Sequence, residues 1–185
     1  MCAYILNIKM NTTYVFDYFF SSDCPRVLED LQNAFGWHDR IKVHPLFLMM
    51  VQPFFQMIKG VFSTNENGRV VLQALVAVLN CYGIYSIVYK ISNSVYNAIL
   101  SMLIYALSFS TIIFTAVTET FLYATFCFIL FWNYIVYLEN CKEINWKNYV
   151  ILIVLGILCF SITITNIIPY VIGVIYLGVK RNGIK

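Results

Sequence analysis

The sequence predicts an all-α polytopic helical membrane protein, and three observations carry that reading. Hydrophobic residues make up 61% of the 185-residue chain and charged ones only 11%, with a mean hydropathy of +0.75. A soluble domain of ordinary composition has about a quarter of its residues charged. The charges are also uneven: residues 1–69 hold six acids and six bases, residues 70–185 three acids and six bases. Beyond Arg69 the chain is a series of uncharged runs, 70–89, 91–118, 120–138 and 148–179. Each is close to or above the ~20 residues that cross ~30 Å of hydrocarbon. Two regions follow: an interfacial and juxtamembrane region over 1–69 and a transmembrane bundle over 70–185.

Residues 1–22 are aromatic but too broken to span, and Tyr14, Phe16, Tyr18, Phe19 and Phe20 suit an aromatic belt at the interface. Asn11-Thr12-Thr13 matches the glycosylation sequon, a pattern short enough to arise by accident. Residues 22–36 read as a short amphipathic helix, capped by Ser22, with Pro25 in its first turn and Gly36 at its end. Its apolar stripe is Val27, Leu28, Leu31 and Phe35, with Arg26, Glu29, Asp30 and Asn33 opposite, so it is expected to lie flat at the interface. A charged link, 37–45, leads to a second helix over 46–62. That run carries Gln52, Pro53, Gln56 and Lys59 and fits a juxtamembrane or re-entrant helix better than a span. Residues 63–69 are a polar loop with Asn67-Gly68 as a turn signal. Four spans are then expected at about 70–89, 96–117, 120–138 and 148–167, with a partial fifth over 167–179.

The bases set the orientation. Lys90, Lys142 and Lys147 fall on one side, which the positive-inside rule assigns to the cytoplasm. Arg69, Glu119 and Asn166 then lie outside. Residues 23–47 join them if 46–62 does not cross, and move to the cytoplasm if it does.

Several classes are disfavoured. The bases are scattered with no stripe, so a nucleic-acid partner is not expected. The six cysteines (2, 24, 81, 127, 141 and 159) show neither CxxC nor metal spacing, and Cys81, Cys127 and Cys159 lie in apolar runs as small hydrophobes. The N-terminus has neither a basic region nor a long apolar core, so no ordinary signal peptide is expected.

The titratable groups concentrate between Asp23 and Phe47, which holds Asp23, Arg26, Glu29, Asp30, Asp39, Arg40, Lys42 and both histidines. Asp23 is a candidate general base or metal ligand, or simply an acid favoured by a helix N-terminus. Arg26, Arg40 and Lys42 suit a phosphate or lipid head groups. His44, before Pro45, is either a substrate contact or part of a turn. Glu119 is the sole charge between Lys90 and Glu139. A carboxylate in mid-bilayer costs several kcal/mol, so Glu119 either lines an outer cavity or sits in a connecting loop. Asn166, near Pro169, caps a helix break or bonds a ligand. No nucleophile–His–acid set, glycine-rich phosphate loop or metal-ligand cluster is visible, and the intramembrane charges are too few for an ion pathway.

The segments SSDCPRVLEDLQ, DRIKVHPLF and VVLQALVAVLNCYGIYSIVYK together resemble the N-terminal half of GT-C-type membrane glycosyltransferases. SFSTIIFTAVTETFLYATFCFILF and WKNYVILIVLGILCFSITITNIIPYVI are similar to later spans of bacterial proteins of that kind, so the likeness covers about 15–175. The resemblance implies transfer of a sugar from a polyprenyl-phosphate donor to an acceptor on the extracytoplasmic face of a bacterial inner membrane. Asp23 matches the acidic residue of the first outer loop, which acts as base or positions the acceptor. His44 and Pro45 match the juxtamembrane motif, and Arg40 is the base suited to the donor phosphate. Glu119 and Asn166 match recurring positions at outer span ends. The implied partners are membrane lipid and the lipid-linked sugar donor; a divalent metal is compatible, though no cluster demands one. The chain departs from the family in lacking a full span before the outer loop and in having far fewer spans, the pattern expected of a truncated or inactive fragment. The rival expectation is a non-enzymatic membrane subunit, or a lipid-binding or transport component.

Overall fold

The computed structural model describes residues 24–32, 44, 46–61 and 65–181, and every regular element among them is helical. In chain order these are α1 (Cys24–Gln32), α2 (Phe47–Val61), α3 (Asn65–Ser92), α4 (Val95–Ala106), α5 (Phe109–Ala116), α6 (Phe121–Asn140) and α7 (Trp146–Ile162). A 3-10 turn, Ile164–Asn166, then leads into α8 (Ile167–Arg181).

From α3 onward the chain runs back and forth between two ends. One end, called here the glutamate end, holds Arg69, Glu119 and Asn166; the other, the lysine end, holds Lys90, Glu139, Lys142, Lys180 and Arg181. Cross-helix hydrogen bonds fix the register. Gln73 reaches Val117 and Asn166 reaches Ala124 at the glutamate end, while Lys90 bonds Asn133 and Lys180 bonds Glu139 toward the lysine end. Arg181 closes α6 by donating to the carbonyls of Leu138, Cys141 and Lys142 at 3.0–3.1 Å, in and just beyond its last turn.

Two helices, Asn67–Ser92 within α3 and the whole of α6, are long and apolar enough to cross a membrane. A third crossing is available if α4 and α5 count as one, although they are bent by 55°. The expected continuous span over 96–117 is therefore broken. The cause is chemical, since the bend contains neither proline nor glycine. Ser108 donates its hydroxyl to the Tyr105 carbonyl at 2.8 Å and caps α5 by accepting from the Thr111 amide, giving the backbone an alternative to a continuous helix. The expected span over 148–167 also ends early, at Ile162, leaving a helix of 17 residues. The partial fifth segment is α8, a helix of 15 residues that lies along α6 from the level of Ala124 to that of Leu138.

The second helix, α2, packs on α3 and meets the rest of the bundle at its start. There the Leu46 amide donates to the Ser161 carbonyl (3.0 Å), and Phe47 packs edge-to-face on Tyr123 at 5.3 Å. At its end Lys59 lies against Gly68, where an added Cβ would come within 3.1 Å of the Lys59 Cα. The helix thus links the end of α7 to the start of α3. Phe47, Val51 and Phe55 are its buried face. Outside it sits α1, held by Gln52 and Gln56 donating to the carbonyls of Asp30 and Leu31 at 3.4 and 3.2 Å. Val27 and Leu31 are buried against this layer, so the amphipathic stripe faces protein where a lipid-facing role was expected. The polar turn expected over 63–69 is partly helical, because α3 already begins at Asn65 and Gly68 permits the close approach to α2. Asn93 takes a left-handed φ of 51° to end α3, and Ser94 caps α4.

One core joins the two layers: Val27, Leu31, Phe55, Val76, Phe131, Ile135 and Cys159 belong to a single buried cluster. The outward faces are apolar as well. Leu103 and Ile104 on α4, Ile153 and Ile157 on α7, and Ile172 and Ile175 on α8 are all exposed. In water such a belt would far exceed the patches tolerated on monomeric surfaces.

Close helix contact tests this packing. A Cβ at Gly173 would lie 2.5 Å from the Phe131 ring, and Phe131 has no exposure to move into, whereas Gly178 has open space around it. Gly173→Ala is expected to destabilise the bundle by about 1–3 kcal/mol, and Gly178→Ala to leave it unchanged or slightly firmer. Unfolding in mixed detergent micelles, followed by helical circular dichroism, measures both.

Candidate functional site

The glutamate end is built on one face of α3. Arg69, Gln73, Val76 and Asn80 recur at spacings of four, three and four, which puts them on a single stripe of the helix. All four are buried: Arg69 is 2% exposed, and Gln73 and Asn80 are 0%. In a helix with lipid around its outer face, polar groups turned inward are the stable arrangement.

Opposite this stripe the chain is not helical. Residues 117–120 join α5 to α6 with Val117 extended (φ −93°, ψ 133°), so carbonyls there lose their helical partners. The stripe bonds this segment and the first turn of α6. Arg69 Nη1 donates to Thr118 Oγ1 at 2.6 Å, Gln73 Nε2 to the Val117 carbonyl at 2.8 Å, and Asn80 Nδ2 to the Leu122 carbonyl at 3.1 Å. Thr118, Glu119 and Thr120 are all buried.

Glu119 therefore sits in the connection between α5 and α6, as one of its two expected placements had it, and is buried there. Its Oε2 accepts the Thr120 amide at 3.0 Å at the N-terminus of α6, where the helix dipole favours a carboxylate. It sits one residue from the hydroxyl that Arg69 holds, so groups of opposite formal charge are buried in the same end.

His44 and Asn166 reach this end too, each anchored on backbone. His44 Nδ1 lies 2.6 Å from the carbonyl of Ile162, the last residue of α7. Because a carbonyl only accepts, Nδ1 carries the hydrogen. Asn166 Nδ2 donates to the Ala124 carbonyl at 3.3 Å, tying the 3-10 turn to α6. Of the two roles open to Asn166, the structure displays the bond at the helix break. Both residues position elements: His44 fixes the entry to α2, and Asn166 fixes the α7–α8 corner.

The structure thus gathers His44, Glu119 and Asn166 at one end of the bundle. Asp23, Arg40 and Pro45 lie outside the described residues, as do the segment 1–22 and the side chain of Arg26. Among the described residues no group of three His, Cys, Asp or Glu side chains is placed to hold a metal ion. Sequence reasoning placed Arg69 outside as a topology marker and passed over Gln73 and Asn80. Their shared helical face was the available signal.

No protein-family model matches the chain, and neither a curated protein nor a solved structure matches it.

Removing a donor from the stripe breaks a buried polar contact, and at Gln73 it takes the side-chain donor from the Val117 carbonyl. Gln73→Leu and Asn80→Leu are each expected to cost about 0.5–2 kcal/mol in micellar unfolding, the range of single polar contacts between membrane helices. Arg69→Met is expected to cost more than either, because it leaves buried partners of a charge. The exposed Leu103→Ala serves as the neutral reference, and equal losses at all four positions would contradict this ranking.

Proposed function

We propose that the chain is an integral membrane protein that performs GT-C-like glycosyl transfer at its glutamate end. The observation that carries this reading is the position of α2. Because α2 starts at the Ser161 carbonyl and ends beside Gly68, the charge-rich segment 23–47 leads into the same end as Glu119, opposite Lys90, Lys142 and Lys147. The positive-inside rule then puts the lysines in the cytoplasm and the glutamate end outside.

In this mechanism an acceptor hydroxyl attacks the anomeric carbon of the donor sugar. The new glycosidic C–O bond forms as the bond to the polyprenyl-phosphate oxygen breaks. Asp23 takes the acceptor proton, and Arg40 neutralises the departing phosphate. Glu119 and Arg69 are charged groups buried at this end. His44 and Asn166 hold the frame, the role their backbone hydrogen bonds support.

A second reading follows from the same geometry. Arg69, Gln73 and Asn80 each bond the 117–122 segment, which suits a non-enzymatic membrane subunit whose polar end is structural. Membranes from cells making the full chain, supplied with a radiolabelled polyprenyl-phosphate sugar, separate the two. The enzyme reading expects transfer by the parent chain and a loss of about 10²–10⁴-fold in Asp23→Asn. Transfer that persists in Asp23→Asn removes Asp23 as base, and no transfer by the parent chain leaves the subunit reading in place. Sidedness is read independently: Asp39→Cys should label in intact cells, and Lys142→Cys only after permeabilisation.

A further inference from the structure

Toward the lysine end, α3, α6 and α8 diverge and leave a groove of about 350 Å³ between them. Its walls are Ile87, Phe128 and Trp132, and its mouth carries Glu139, Tyr176 and Lys180. Most of the outward surface is convex helix face, whereas this is a concavity that three helices share. At ~30 Å³ per water-sized group it accommodates on the order of a dozen such groups, the bulk of one hydrocarbon chain and less than a whole lipid.

The mouth favours one sign of charge. Lys180 Nζ lies 2.7 Å from Glu139 Oε1 and 3.2 Å from the Tyr176 hydroxyl. The lysine side chain is 53% exposed and the glutamate 12%, so the ammonium stands in front of the carboxylate. An ammonium has three hydrogens, and these two contacts engage two of them. Among the described residues the same end also carries Lys90, Lys142, Lys147 and Arg181, with Glu139 and Glu143 as its acids. An exposed ammonium beside an apolar slot, at an end where bases outnumber acids, complements a phosphate joined to an acyl chain.

We propose that this groove binds an anionic diacyl phospholipid of the lysine-end leaflet, one acyl chain lying between α3, α6 and α8 and the phosphate meeting Lys180. The proposal rests on the membrane reading but not on sugar transfer, because the groove opens at the end remote from Glu119.

The test is native mass spectrometry of the full chain in mild detergent, titrated with synthetic phosphatidylglycerol or phosphatidylcholine. The parent chain is expected to retain one phosphatidylglycerol, at least about fivefold over phosphatidylcholine. Ile87→Trp fills the slot and should remove retention of both lipids. Lys180→Gln should abolish the preference for phosphatidylglycerol, while Glu139→Gln should increase it by freeing the ammonium. These opposite changes at one ion pair cannot both come from misfolding. Equal retention of the two lipids, retention unchanged in Ile87→Trp, or a lipid-free dimer in place of a lipid complex overturns the proposal. Transfer activity is a separate readout, so either proposal can fail without the other.

Discussion

The structure depends on how α3 satisfies the break between α5 and α6. A bilayer cannot hydrogen-bond stray backbone groups, so an unwound segment is stable only where protein covers it. Here Gln73 takes the Val117 carbonyl and Arg69 takes the Thr118 hydroxyl, while Asn80 reaches Leu122 in the first turn of α6. The neutral contacts are worth roughly 0.6–1.7 kcal/mol each in a membrane bundle. Burying a guanidinium costs several kcal/mol unless a counter-charge is near. Stability from the Thr118 bond alone is too small to account for Arg69. The carboxyl of Glu119, buried one residue away, makes the presence of a charge there intelligible.

That constraint also explains why α2 lies where it does. The polar stripe and the unwound segment both reach the glutamate end, and they need a lid that excludes water without offering lipid a broken backbone. Phe47, Val51 and Phe55 supply the apolar underside, and His44 ties the lid to the open carbonyl of α7. Pro53, Gln52 and Gln56 weaken α2 as a span, and the glutamines instead bond α1 on its other side. The residues that make this helix poor at crossing a membrane are the ones that make it suitable for lying on a bundle.

Much of this was legible in the sequence. Uncharged length identified α3 and α6, and the polar interruptions in 46–62 set α2 apart from those long apolar helices. The tertiary register was less accessible. Hydropathy treats 96–117 as uniform, and the bend there comes from the Ser108 hydroxyl competing for backbone partners over distances of about 3 Å. The same averaging hid Gln73 and Asn80, which in an apolar run register as mild dilution. Their significance lies in sharing a face with Arg69, a property of angle that composition cannot express. Val27 and Leu31 were correctly identified as an apolar stripe, but amphipathicity does not say whether lipid or protein covers it.

The two ends use their charges in different ways. At the lysine end Lys180 is half exposed, and its ion pair with Glu139 is open to solvent and head groups. Such pairs contribute little to stability, typically about 0–1 kcal/mol. Arg181 at that end spends its guanidinium on three carbonyls and serves as a helix cap. At the glutamate end the charges are enclosed and their neighbours chosen by the fold. A pair open to water can change partners with little loss, whereas groups enclosed by the fold, as Arg69 and Glu119 are, cannot exchange their neighbours without opening it.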